Sequence, residues 1–189
     1  MPRKSNPHQT DLFEADTRSY RYVILLDPGF HITEKVRFFR QKLNELHPVS
    51  DEDMRSKPHI TLCYFDSPYN CDKLIVDKTK QASSRIKAFD FSVNGLNYWD
   101  TGTLYMKVEA PPPVLKLLDN LKSELKAAKM SSHPHITIVR KLKKQHYTEL
   151  QKEDFDYQAD SRCYTITILK QLLDGKPQGF EVLDKIKLG

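Results

Sequence analysis

The sequence predicts an α+β domain, with strands and helices mixed but without the strict alternation of a doubly wound parallel sheet. Three observations carry this. Short apolar runs of extended character recur between turn signals. Other segments place apolar residues at helical spacing. The order read along the chain is strand, helix, strand, helix, strand, strand, helix, strand, strand, strand.

The first strand is Tyr22-Val23-Ile24-Leu25-Leu26, ended by Asp27-Pro28-Gly29. Ile32, Val36, Phe39, Leu43 and Leu46 then line one face of an amphipathic helix. Thr33 is expected to cap it and Pro48 to stop it. Pro58 to Phe65 reads as the second strand, and Ile75, Thr79, Ala82 and Ile86 as the face of a second helix. Phe89 to Val93 and Leu104 to Val108 form a strand pair turned at Asp100-Thr101-Gly102. Pro111-Pro112-Pro113 opens the clearest helix, with Val114, Leu117, Leu118, Leu121 and Leu125 on its apolar face. Pro134 to Val139 is extended again, and a short polar helix is expected from Gln145 to Gln151. Tyr164, Ile166 and Ile168 alternate in a further strand. Asp174-Gly175 turns it into a closing strand from Phe180 to Ile186.

A chain of 189 residues fits one folded unit of ordinary size. With 39% hydrophobic and 29% charged residues, it has enough apolar content to fold. Residues 1–20 are polar and aperiodic, and are read as a mobile arm preceding a single domain at 21–189. The arm's charges cancel, so the net charge of +5 belongs to the domain; it tolerates a polyanionic partner but by itself also fits an ordinary soluble surface. No apolar run approaches the ~18 residues of a membrane span, and no apolar signal core follows Met1-Pro2-Arg3-Lys4. A cytoplasmic protein with no membrane partner is expected. Cys63, Cys71 and Cys163 are an odd number without a CxxC pair, which fits a reducing compartment and no disulfide framework.

The informative feature is a repeat. Pro58-His59-Ile60-Thr61 recurs letter for letter as Pro134-His135-Ile136-Thr137. Each copy follows a helical segment, opens an apolar extended run and has a serine just upstream, Ser56 or Ser132. With a period of two, His59 and Thr61 share one face, as do His135 and Thr137. Two such strands side by side would gather two imidazoles and two hydroxyls. His31-Ile32-Thr33 carries the same three letters, but it precedes a helix and is assigned no chemistry.

Two His-x-Thr motifs, each on a strand after a helix, resemble the two-histidine (2H) phosphoesterase superfamily. Within it, the chain is most similar to the 2′-5′ RNA ligase-like and cyclic phosphodiesterase branch. The likeness spans about residues 20–188, and Arg140, five places after the second histidine, agrees with that branch. The resemblance implies two pseudo-symmetric lobes, each an antiparallel sheet backed by helices, around a central cleft. It also implies His59, Thr61, His135 and Thr137 as the catalytic set. Its substrates would be RNA ends or cyclic-phosphate nucleotides: a 2′,3′-cyclic phosphate opened by water, or a 2′-5′ linkage. The reverse ligation would use the same groups.

The residue types suit such chemistry without a metal or other cofactor. An imidazole pKa near 6.5 lets one histidine act as base and the other as acid. Threonine hydroxyls can donate to oxygens on which charge builds. Arg140 is the first choice for a further phosphate contact, although strict alternation puts it on the opposite face from His135. Lys141, with the right parity, is the runner-up. Phe65 shares the parity of His59 and is expected to stack a base. Two other readings compete. A zinc site on the two histidines lacks further ligands at suitable spacing. A non-catalytic RNA-end or nucleotide-binding module would keep the fold but not the turnover. The arm adds Gln9-Thr10-Asp11-Leu12-Phe13, which resembles the short peptide with which bacterial proteins dock on the DNA sliding clamp. The chain is otherwise expected to act as a monomer.

Overall fold

The computed structural model describes residues 18–126, 128–150, 155–175 and 178–189. In chain order it contains β1 (Tyr20–Leu26), α1 (Phe30–Leu46), α2 (Asp51–Arg55), β2 (Ile60–Ser67), α3 (Asp72–Ser83), β3 (Phe89–Trp99) and β4 (Thr103–Glu109). There follow α4 (Pro112–Glu124), β5 (Lys129–Met130), β6 (His135–Val139), α5 (Lys144–Glu149), β7 (Gln158–Cys163), β8 (Thr165–Leu172) and β9 (Glu181–Lys187). The fold class is α+β, as the sequence predicts. The strands pair antiparallel in one sheet of order β7-β3-β4-β6-β2-β1-β8-β9, with β5 added on β2. The halves of the sheet meet between β6 and β2 at a single pair, Ile60 and Ile136. The two-lobe division stays an expectation of the resemblance; the hydrogen bonding draws one sheet with a narrow waist.

Helices α1, α3 and α4 pack on one face, into a common core. Helix α1 packs on β6, burying Ile32, Val36, Phe39 and Leu43, and the Phe39 ring meets Phe155 at 5.1 Å. Helices α3 and α4 pack on each other; α4 also touches β2, and α3 touches β9. Burial at helical spacing explains α3 (Ile75, Thr79, Ala82) and α4 (Val114, Leu117, Leu121). No described helix is long and apolar enough to cross a membrane.

The sequence reading errs locally for physical reasons. Thr33 is not the cap of α1; Gly29 is, at φ 86°, and the Thr33 hydroxyl donates to the Gly29 carbonyl at 2.8 Å from inside the helix. A Cβ at Gly29 would lie 2.7 Å from Ser161 Oγ, so both the space and the backbone angle require glycine. Leu46 is exposed at the helix end, whereas Arg40 is buried on the apolar face. Helix α2 escapes the sequence pattern because five residues show no period, although Ser50 accepts from the Asp53 amide as a cap. Strand β7 is polar, with only Ser161 and Cys163 buried, and β5 has two residues. The polar helix is Lys144–Glu149; its expected last residue, Gln151, lies outside the described residues.

Two irregularities of register control the site. Between β1 and β2 the pairs run from Ile24↔Cys63 to Leu25↔Thr61, leaving Leu62 as an extra residue. Between β4 and β6 they run from Tyr105↔Thr137 to Leu104↔Val139, leaving Ile138 extra. Each bulge sits three residues after its motif histidine. Beyond each, the side chains exchange faces.

Candidate active site

Ile60 and Ile136 turn into the core, at 1% and 0% exposure. Their antiparallel pairing sets His59 against Thr137 and Thr61 against His135 on the face away from the helices. The neighbouring registers agree: Tyr105 pairs with Thr137, Lys107 with His135 and Leu25 with Thr61. The repeated tetrapeptide thus becomes a local two-fold arrangement with the isoleucine pair at its centre.

The two histidines are held alike. His59 Nδ1 donates to the Lys57 carbonyl at 2.8 Å, and His135 Nδ1 donates to the His133 carbonyl at 2.8 Å. A carbonyl cannot donate, so each neutral ring carries its proton on Nδ1 and leaves Nε2 as an acceptor. Burial lowers both pKa values below the ordinary imidazole value, the carbonyl bonds oppose this, and the Arg140 charge pushes both down further. His135 also has an aromatic wall. Trp99 meets it edge-on at 4.5 Å, Tyr105 lies at 5.4 Å, and these two rings contact each other at 4.2 Å.

Arg140 is brought to this face by the Ile138 bulge, which cancels the parity objection. Its Nη1 donates to Asp53 Oδ1 at 2.7 Å and its backbone N–H to Asp53 Oδ2 at 2.9 Å. Asp53 is 3% exposed in its side chain and Arg140 43%, so a buried carboxylate anchors a cation that solvent can reach. Behind both motifs, Arg40 donates to the carbonyls of Ile138 at 2.7 Å, Ser56 at 2.5 Å and Thr137 at 3.2 Å. It therefore ties β6 to the segment leading into β2. Burial draws its guanidinium down to about 10, still charged at neutral pH.

Not every predicted binding residue joins the site. The Leu62 bulge turns Phe65 to the helix face, where it stacks on Tyr22 at 5.3 Å and lines an apolar cavity of about 300 Å³ with Leu74 and Ile75. Tyr64 takes its place on the open face, 39% exposed, with Lys129 Nζ 5.8 Å from its ring centre. Lys141 has φ 59° and lines a different cavity, with His47 and His146. Sequence reasoning missed Trp99, Asp53 and Arg40. Arg40 did leave a signal: it stands four residues after Val36 and three before Leu43, a charge on an apolar face. Among the described residues, no three His, Cys, Asp or Glu side chains gather as a metal site. The clamp-like peptide at 9–13 lies outside the described residues.

A sequence profile of the 2′-5′ RNA ligase superfamily matches residues 19–175. No curated protein matches the chain significantly. Among solved structures, Escherichia coli LigT complexed with 3′-AMP superposes with TM-score 0.66 at 17% identity, covering 90% of this chain and 98% of LigT. The same protein complexed with ATP gives 0.63 at 17%, with the same coverage. TT0787 of Thermus thermophilus gives 0.65 at 14%, covering 89% and 97%.

Proposed function

Since the chain belongs to the 2′-5′ RNA ligase superfamily of two-histidine phosphoesterases, we propose that it cleaves RNA-type phosphodiesters by acid–base catalysis between His59 and His135. The observation that carries this reading is the matched tethering of both Nδ1 atoms, which leaves two Nε2 atoms for proton transfer. The substrate class is a 2′,3′-cyclic phosphate or a 2′-5′ linkage. Water attacks the cyclic phosphorus while one neutral imidazole takes its proton. The bond from phosphorus to O3′ breaks, and the other, protonated imidazole gives its proton to that oxygen. The product is a 2′-phosphate beside a free 3′-hydroxyl. A 5′-hydroxyl attacking in place of water forms a 2′-5′ linkage by the same two transfers. Thr61 and Thr137 donate to the non-bridging oxygens, and Arg140 adds positive charge. The Trp99–Tyr105 wall keeps His135 partly dry. LigT, a structural neighbour, has been crystallised with 3′-AMP and with ATP, which supports a nucleotide-sized ligand.

The test is incubation with an oligonucleotide ending in a 2′,3′-cyclic phosphate, with EDTA present, and analysis of the product end by mass. Ring opening to a 2′-phosphate is expected. Binding without turnover would mark a non-catalytic RNA-end binder instead. Activity abolished by the chelator would sink the metal-free mechanism.

A further inference from the structure

Beyond the end of β6 lies a basic cavity of about 240 Å³ that shares only Arg140 with the proposed two-histidine reaction. Its charged and titratable lining is His47, at the end of α1, Arg140, Lys141 and Lys143, in the loop between β6 and α5, and His146, on α5. The His47 and His146 rings stack face to face at 3.6 Å. Two carboxylates pair with the lining: Glu149 Oε2 is 3.7 Å from His47 Nε2, and Asp53 is engaged by Arg140. Among the described residues, neither Lys141 nor Lys143 has an ion pair.

The backbone here is built to present Lys141. Its φ of 59° is a left-handed conformation that a lysine rarely adopts, and such conformations persist where the surroundings over-determine them. The Leu142 N–H donates to the Gly102 carbonyl at 2.8 Å, and the Tyr98 hydroxyl donates to the Leu142 carbonyl at 2.8 Å. A Cβ on Gly102 would come within 3.1 Å of Lys141 Cα and Leu142 O, so the β3–β4 turn presses on this loop. Arg140 joins the cavity to the site. It lines the cavity, and its charge reaches both motif histidines. A polyanion with one phosphate between the histidines therefore meets further positive charge in this direction.

We propose that this cavity seats a second phosphate group of the substrate, so that the enzyme acts on an oligonucleotide end in preference to a mononucleotide. The proposal rests on the phosphodiesterase reading above. The same chemistry would accept a neighbouring phosphodiester of the bound strand or a free phosphate, and the experiment separates them. Turnover of a 2′,3′-cyclic mononucleotide is compared with that of a trinucleotide carrying the same cyclic end, in the wild type and in Lys143→Glu. The wild type is expected to favour the trinucleotide in kcat/KM, and Lys143→Glu to reduce that preference on the order of tenfold, about the worth of one charge-assisted hydrogen bond. An unchanged preference overturns the proposal. So does a wild type without length preference whose mononucleotide turnover responds to inorganic phosphate while that of Lys143→Glu does not, because the occupant is then free phosphate. A second readout needs no turnover. The slope of log affinity against log salt for a labelled trinucleotide should fall by about 0.7 for each phosphate that Lys143→Glu no longer neutralises. With that fall and no turnover, the cavity stands and the reaction fails; with turnover and an unchanged slope, the reaction stands and the cavity fails.

Discussion

In the proposed reaction each motif histidine moves one proton, and that sets the size of its loss. His59→Ala or His135→Ala should lower kcat by about 10²–10⁴-fold with the fold retained, measured on a cyclic-phosphate oligonucleotide against a circular-dichroism control. Thr61→Val or Thr137→Val removes a hydroxyl at constant shape and should cost on the order of 10–10³-fold in kcat. Unchanged turnover in both would make them ordinary strand threonines, favoured by β-branching. The pH dependence follows from the sign of the histidine shifts. Both pKa values are lowered, by burial first and by Arg140 as the leading nearby charge. Both limbs of the kcat/KM profile should therefore lie below those of unperturbed imidazoles. Arg140→Gln should move both upward, and Arg140→Lys should leave them low. The same shifts act on stability. The unfolded chain binds protons that the folded histidines refuse, so their contribution to stability is complete above about pH 6.5 and is lost as pH falls through the folded pKa values. Thermal melting between pH 5 and 8 checks the direction.

At the scale of elements, the two motif strands depend on one buried side chain. Arg40 is 2% exposed and satisfies three carbonyls, two on β6 and one before β2. Arg40→Met would strand those acceptors and should destabilise the protein by about 3–5 kcal/mol, read from urea unfolding. Arg40→Lys keeps three donors but lacks the planar, spread fork that reaches all three carbonyls. Period and turn chemistry make β1, α1, α3, α4 and the β3–β4 turn legible in the sequence, and the letter-for-letter repeat makes the four motif residues legible. Neither shows a bulge. An extra residue in a strand leaves the composition and the apolar run intact, yet it exchanges the faces of everything beyond it. For that reason strict alternation puts Phe65 on the open face and Arg140 off it, and the same device at Leu62 and Ile138 reverses both. Asp53 is hidden because its role, holding a cation 87 residues away, exists only in the fold.

The whole molecule poses a question of cooperativity. A sheet whose halves share one residue pair invites separation there, but three features oppose it. Buried residues from α1, on one half, and from α3 and α4, on the other, belong to one continuous core. Arg40 bonds both sides of the waist. Strand β5 returns to β2 just before the chain enters β6, and the Ser131 N–H donates to the Leu62 carbonyl at 2.8 Å. Unfolding should therefore be a single transition. Trp99, the one tryptophan in the chain, stands at the end of β3 beside His135 and reports on one half and on the site together. Its fluorescence and the far-ultraviolet circular dichroism of the whole chain should give coincident urea curves. Ile60→Ala removes a fully buried side chain at the waist and should lower the midpoint by an amount corresponding to about 2–5 kcal/mol while the two curves stay together. Curves that separate in the wild type would mean that the halves fold as independent units. The placement of the two histidines would then rest on a weak contact between domains rather than on a shared core.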